Sequence, residues 1–286
     1  MAKFHDFLIN HTLISILIIM ALYGVFIFFF RFLAVLLFSS LPFLVYIWIQ
    51  FAIVFGALAI LLFIITPIGL HLPNGKESFA NFAHSIQLSQ FNPWKRNIFL
   101  GVAFAAIFWF FTLCFSLIAG NYVFDPSIIF GWPTPNNPGM FLFIDMLIPG
   151  IWEEVAFRGI ILTLLLKKYS EKKSIIIDGL LFGGMHFLNV IGGADVGSTL
   201  IQMMYATTLG FAFAYTFIKT KSLGSCIIAH YLIDAVNPLF LTESLRDMLL
   251  ALICVIIFVI ILGPLLNILL IRFVIKKEKN LQIKHI

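Results

Sequence analysis

Eight runs of apolar residues divide the chain, near 8–30, 41–66, 97–119, 140–166, 174–190, 199–218, 223–241 and 248–271. Most are long enough for a helix to cross a hydrocarbon core of about 30 Å. The fifth and seventh are short and the most polar. The pattern predicts an all-α polytopic membrane protein of about eight transmembrane helices, forming a single integral membrane domain over 1–286. The first run is long, and no small-x-small cleavage site follows it, so it reads as a retained span rather than a signal peptide. The loop from Pro67 to Arg96 is the long one. Its segment Ser78–Gln90, with Phe79, Phe82, Ile86 and Leu88 among polar residues, reads either as a short interfacial helix or as an ordinary loop.

Composition agrees with this class. The chain is 62% hydrophobic and 11% charged, with 34 Phe among 286 residues, and a soluble domain of this size could not hide so much apolar surface. Charge adds an orientation. Lys and Arg at 3, at 76, 95 and 96, at 167, 168, 172 and 173, at 219 and 221, and at 272, 276, 277, 279 and 284 fall on one face of an eight-span arrangement. Arg31 and Arg246 fall on the other face, and Arg158 lies within a span. Both termini are therefore expected on the cytoplasmic side. The loop 120–139 has no Lys or Arg, which suits an external turn region. The net charge of +5 fits a rim facing anionic lipid and calls for no nucleic acid. Cys114, Cys226 and Cys254 all lie in predicted spans, which implies neither a disulfide framework nor a cysteine metal cluster.

Against this background the ionisable residues inside spans stand out, because a charge at the bilayer centre costs roughly 2.5–3.5 kcal/mol on insertion scales. Span four carries Asp145, Glu153, Glu154 and Arg158, span five Asp178 and His186, span seven His230, Asp234 and, a turn on, Asn237. The concentration of polarity in three helices suggests that spans four, five and seven converge on one site. Glu154 and Arg158 are i, i+4 and can pair, as are Phe182 and His186, and His230 and Asp234. Glu153 is rotated about 100° from Glu154 in a regular helix, so one glutamate can meet Arg158 while the other faces a cavity. At about 1.5 Å per residue, Glu153, His186 and His230 lie roughly 21, 20 and 14 Å from the nearest basic rim. Other polar features have structural readings. Asp145 and Asp178 lie nearer span ends and read as solvated. Asn237-Pro238 reads as a helix terminator. The Gly179-x-x-x-Gly183 spacing, with Gly184, reads as close helix packing.

A buried carboxylate with two imidazoles can hold and deprotonate a water, polarise a carbonyl and stabilise an oxyanion. The same groups could also bind zinc. The order Glu153-Glu154-x-x-x-Arg158, then Phe182-x-x-x-His186, then His230-x-x-x-Asp234 resembles the CPBP family, which includes the CAAX prenyl protease of the Ras-converting type and the bacterial Abi proteins. The family-like core is 140–241. The resemblance implies Glu153 as the base that activates water and His186 as its partner. It makes His230 and the residue at 234 the oxyanion-stabilising groups, and Glu154 with Arg158 a supporting pair. Position 234 is often Asn in the family. Here an ionised Asp would repel an oxyanion, so Asp234 either is protonated or acts by orienting His230.

The expected function is an intramembrane endopeptidase acting on a peptide or membrane-protein substrate, in CAAX-type processing, peptide maturation or bacteriocin self-immunity. No obligatory cofactor is expected. Zinc held by Glu153, His186 and His230 is the alternative. The expected location is the bacterial plasma membrane. A proton-coupled transporter and a non-catalytic immunity protein are the other readings. Against a transporter, the chain shows no internal repeat with paired broken helices.

Overall fold

The computed structural model describes residues 2–242 and 244–283. Lys284 lies outside the described residues, and of Lys3 and Lys279 only the backbone is described. The chain divides into two compact units, residues 1–89 with 125–169 and residues 90–124 with 170–286. The family-like core 140–241 contributes to both. No strand occurs among the described residues.

The first unit contains α1 (Ala2–Asn10), α2 (Thr12–Phe38), α3 (Phe43–Gly69), α4 (Phe79–Ser85) and α6, a broken helical run over 142–168. α2 packs along α3, and Ile16 and Ile19 on α2 and Val54 and Leu58 on α3 are buried. α3 begins as a regular helix and widens into a π-helix over Leu61–Gly69, which contains Pro67. Thr66 Oγ1 donates to the Leu61 carbonyl at 2.9 Å, a five-residue step that follows the wider turn. The segment left open by sequence is helical in part: Ser78 caps α4 by accepting from the Asn81 N–H, and Phe82 and Ile86 are buried. α6 is not a regular helix. It is π-helical over Ile148–Glu153 and again over Val155–Ile161, with Pro149 inside the first segment. Proline supplies no N–H to the ladder. Trp152 anchors α6 on α3 through Phe55 and Phe63, at ring separations of 4.7 and 5.4 Å.

Two expectations about this unit need correction. The first span was expected to end near residue 30, with Arg31 beyond it, whereas α2 runs on to Phe38 and carries Arg31 within it. The residues after Arg31 are apolar again, so the helix continues. Asp145, expected to be solvated, is only partly exposed and lines a cavity.

The second unit contains α5 (Trp94–Ala119), α7 (Glu171–Met185), α8 (Val196–Thr220), α9 (Leu223–Val236) and α10 (Met248–Glu278). α7 and α8 approach through small residues. A Cβ on Gly183 would collide with Thr207 Oγ1 and lie 2.6 Å from the Met203 carbonyl, and one on Gly210 would lie 2.8 Å from Gly179 Cα. The Gly179/Gly183 reading therefore holds. Gly184 departs from it, since a Cβ there would meet nothing within 4 Å. Asp178 is also a correction: it is fully buried on α7 rather than solvated. α5 lies against α9 at Gly101, where a Cβ would come within 2.7 Å of Ile228. The far end of α9 is tied to α5 and the segment after it, Ser116 Oγ donating to the Phe240 carbonyl at 2.5 Å and Tyr122 to that of Leu239 at 2.9 Å. Arg96 at the start of α5 donates to the Thr220 carbonyl at 2.8 Å and pairs with Glu278 at 3.1 Å, joining three helix ends.

Among the described residues, seven helices are long and apolar enough to cross a membrane. They correspond to seven of the eight predicted spans, and α6, with its π segments, occupies the place of the fourth.

Candidate active site

In the first unit, α6 carries both glutamates, Glu153 at the end of its first π-helical segment and Glu154 between the two segments. Glu154 Oε1 accepts from Arg158 Nη1 at 3.0 Å, and both side chains are completely inaccessible to solvent. Glu153 is only partly buried. The two neighbours thus have different surroundings, as the helical rotation implied, although the angle assumed for a regular helix does not apply on a π-helix. Tyr23, buried on α2, has Glu153, Arg31 and Glu154 within electrostatic reach. π-Helical turns recur at functional sites, and here they lie on the segment that carries the Glu-Glu motif.

In the second unit, α7 and α9 bring the remaining residues together around one ring. Phe182 meets His186 edge-on at 5.1 Å and His230 edge-on at 5.7 Å. On its other side His230 stacks on Phe213 at 5.5 Å, and Phe213 stacks on Phe104 at 4.6 Å. His186 stands just past the last residue of α7, with Nδ1 2.9 Å from the Phe182 carbonyl. A carbonyl can only accept, so Nδ1 carries the proton, and neutral His186 presents a lone pair at Nε2. His230 Nε2 lies 3.3 Å from Asp234 Oδ2. Asn237 opens the short 3₁₀ turn Asn237–Phe240 that ends α9, as the terminator reading expects, and its Oδ1 is buried without a hydrogen-bond partner among the described residues.

Tyr205 and Gln202 on α8 join this cluster and were not singled out from sequence. Tyr205 has Asp234 and the Gln202 side chain within electrostatic reach. Gln202 Oε1 accepts from Asn189 Nδ2 at 2.9 Å. Gln202 and Tyr205 are i, i+3, a polar pair on one helix face that the sequence does contain.

Outside the spans, Asp195 caps α8, its Oδ1 accepting from the Ser198 N–H at 2.8 Å. That backbone bond, helped by the serine hydroxyl, holds its carboxyl below the ordinary range. Burial pushes the Lys167 amine down at the end of α6, where Nζ donates to the Pro73 carbonyl at 2.6 Å. Among the described residues no group of three or more His, Cys, Asp and Glu side chains is placed to hold a metal ion.

With no strand and seven helices of membrane-crossing length among the described residues, and histidine and carboxylate clusters on its helices, the chain is an integral membrane protein with polar residues inside its spans. Residues 135–236 match the family model described as Rce1-like, the type II CAAX prenyl endopeptidase. This Rce1-like segment covers about a third of the chain, contains every motif residue from Glu153 to Asp234, and agrees with the CPBP resemblance. No curated protein and no solved structure matches the chain significantly.

Proposed function

We propose that the protein is an intramembrane endopeptidase in which Glu153 activates water for attack on a peptide bond. The observation that carries this reading is the clustering of His186 and His230 on the Phe182 ring, with Asp234 on His230, inside the Rce1-like segment. In the proposed step the Glu153 carboxylate takes a proton from water. The hydroxide adds to the carbonyl carbon, and the carbonyl oxygen becomes an oxyanion. His186 Nε2 accepts from the attacking water and so aims it. Collapse of the intermediate breaks the C–N bond, and the proton held by Glu153 passes to the departing amine.

The geometry bears on the role of Asp234. With Nε2 of His230 engaged by the Asp234 carboxylate, His230 can donate to an oxyanion through Nδ1 only when both ring nitrogens are protonated. An Asp234 oxygen lies 3.3 Å from Nε2, placed to accept its proton. Asp234 then acts through His230 rather than by touching the oxyanion, which removes the conflict that its charge poses. The lone pair on His186 Nε2 suits a zinc ion as well as a water, and zinc would supply Lewis-acid polarisation of the carbonyl.

The test uses purified protein in micelles and fluorogenic peptides ending in a CAAX box, prenylated and unprenylated, beside a transmembrane peptide. Cleavage by the parent and a loss of 10²–10⁴-fold in Glu153→Gln is the expected result, the usual span for a positioned acid–base group. Equal cleavage by Glu153→Gln refutes the role of Glu153. Absence of cleavage together with uptake driven by a pH gradient in liposomes refutes the peptidase. The comparison among the three peptides assigns the substrate class, and sensitivity to chelation decides between zinc and an unaided carboxylate.

A further inference from the structure

Arg31, Gln50 and Asp145 have no place in the chemistry above, yet all three line one cavity of about 100 Å³ in the first unit, with Phe51, Val54 and Ile148 as its apolar walls. Arg31 lies on α2, Gln50 on α3 and Asp145 at the start of α6. Asp145 has Arg31 within electrostatic reach. Among the described residues, none of the three has a hydrogen bond or an ion pair with a protein group. Arg31 is exposed and Gln50 and Asp145 are half-buried, so their polar groups are open to a ligand from outside the protein. Two opposite charges that share a cavity without closing into a salt bridge leave room for a ligand that meets both.

The position says what kind of ligand reaches it. Arg31 is seven residues before Phe38, and Gln50 seven after Phe43, so both sit roughly 10 Å in from neighbouring helix ends. α2, with 27 residues, is about 40 Å long, the full thickness of a bilayer with its headgroups. With a core of about 30 Å centred on it, ten ångströms from its end is roughly 5 Å inside the hydrocarbon. An arginine there extends its guanidinium toward the phosphate level. Neighbouring positions in the chain are exposed and apolar: Phe29, Phe32 and Leu36 on α2 are 54%, 64% and 65% exposed, and Trp48, two residues before Gln50, is 51% exposed. Tryptophan favours the interface.

We infer that this cavity binds the headgroup of a phospholipid that carries a primary ammonium, with the phosphate on Arg31 and Gln50 and the ammonium on Asp145. The guanidinium and the amide NH₂ donate to phosphate oxygens, and the carboxylate accepts from the ammonium. A quaternary ammonium has no N–H to give Asp145. A glycerol headgroup has no cation for it. The cavity of about 100 Å³ takes the charged atoms of a headgroup, and the acyl chains lie outside it.

Delipidated protein in mild detergent is incubated with equal amounts of phosphatidylethanolamine, phosphatidylcholine and phosphatidylglycerol, and bound lipid is counted by native mass spectrometry. The parent should retain phosphatidylethanolamine at least fivefold over the other two. Arg31→Gln should lose about tenfold in its retention, the scale of one charge-assisted contact. Asp145→Asn should abolish the preference over phosphatidylcholine while still holding phosphate. Should Arg31→Gln fail to yield folded protein, Gln50→Leu tests the same phosphate contact without moving a charge, and it should weaken retention of all three lipids. Equal retention of the three lipids by the parent overturns the proposal. So does unchanged retention by Asp145→Asn. Displacement of the lipid by millimolar soluble phosphoethanolamine would overturn the lipid as occupant and assign the site to the free zwitterion.

Discussion

Removing one glutamate of the adjacent pair should damage folding, and removing the other should not. Glu154 and Arg158 form a 3.0 Å pair with neither side chain reached by solvent. In Glu154→Ala the guanidinium stays buried and loses that carboxylate. Breaking a buried pair on one side costs about 3–5 kcal/mol, a large share of the roughly 5–15 kcal/mol that holds a typical protein folded. On the usual scaling for chains of this size, the unfolding midpoint should fall by on the order of 10 °C. Glu153 is partly exposed and Gln keeps its size and a polar end, so Glu153→Gln should keep its midpoint within about 2 °C. Replacing both partners, as Glu154→Leu with Arg158→Met, removes the buried charges together and should recover much of the loss, because apolar residues of similar volume often substitute for a buried ion pair at little cost. The assay is the size-exclusion profile of detergent-solubilised protein after a temperature series. Equal midpoints for Glu154→Ala and Glu153→Gln would refute the reasoning, as would a double variant no better than Glu154→Ala.

Three further outcomes follow from other parts of the molecule. Gly183→Val places a side chain against Thr207 and the Met203 carbonyl and should cost about 1–3 kcal/mol by overpacking, whereas Gly184→Ala meets nothing within 4 Å and should be neutral. Equal loss of thermal stability in both would contradict the α7–α8 packing. Tyr205→Phe should lower kcat for peptide cleavage, about tenfold for each 1.4 kcal/mol of transition-state stabilisation it removes, with the unfolding midpoint unchanged. Full activity would remove Tyr205 from the His230–Asp234 cluster. Asp195 has its pKa held down by the Ser198 N–H, so its contribution to the start of α8 is complete above the ordinary carboxylate value of about 3.9 and fades as pH falls through the lowered folded value. Hydrogen exchange at the Ser198 amide, corrected for intrinsic rate, should keep its protection at pH 5 and lose it only below about pH 4. Protection already gone at pH 5 would count against the cap.

What could be read from sequence divides according to how far apart the interacting residues lie. Glu154 with Arg158, Phe182 with His186, and His230 with Asp234 are one helical turn apart, so their spacing alone makes them neighbours in any helix, and the structure has all three in contact. The glycines of α7 were legible for a related reason, since small residues a turn apart in an apolar helix leave a groove that a neighbour fills. The π-helical turns of α6 were not legible: over six or seven residues that are almost all apolar, a wider turn leaves no mark on the hydrophobic pattern. Pro149 was the one available cue. Tyr205 was missed because an aromatic in an apolar helix reads as packing, and only its pairing with Gln202 distinguishes it. Arg31 was misread for the opposite reason. A single charge was taken to end a span, although eight mostly apolar residues before the next turn give the helix room to continue and an arginine can reach the interface from within it. Its association with Gln50 and Asp145 spans three helices, and no local rule brings those residues together. The residues that the sequence groups by spacing are the ones proposed to do chemistry. The ones it left apart, joined only by tertiary structure, form the cavity proposed to hold lipid.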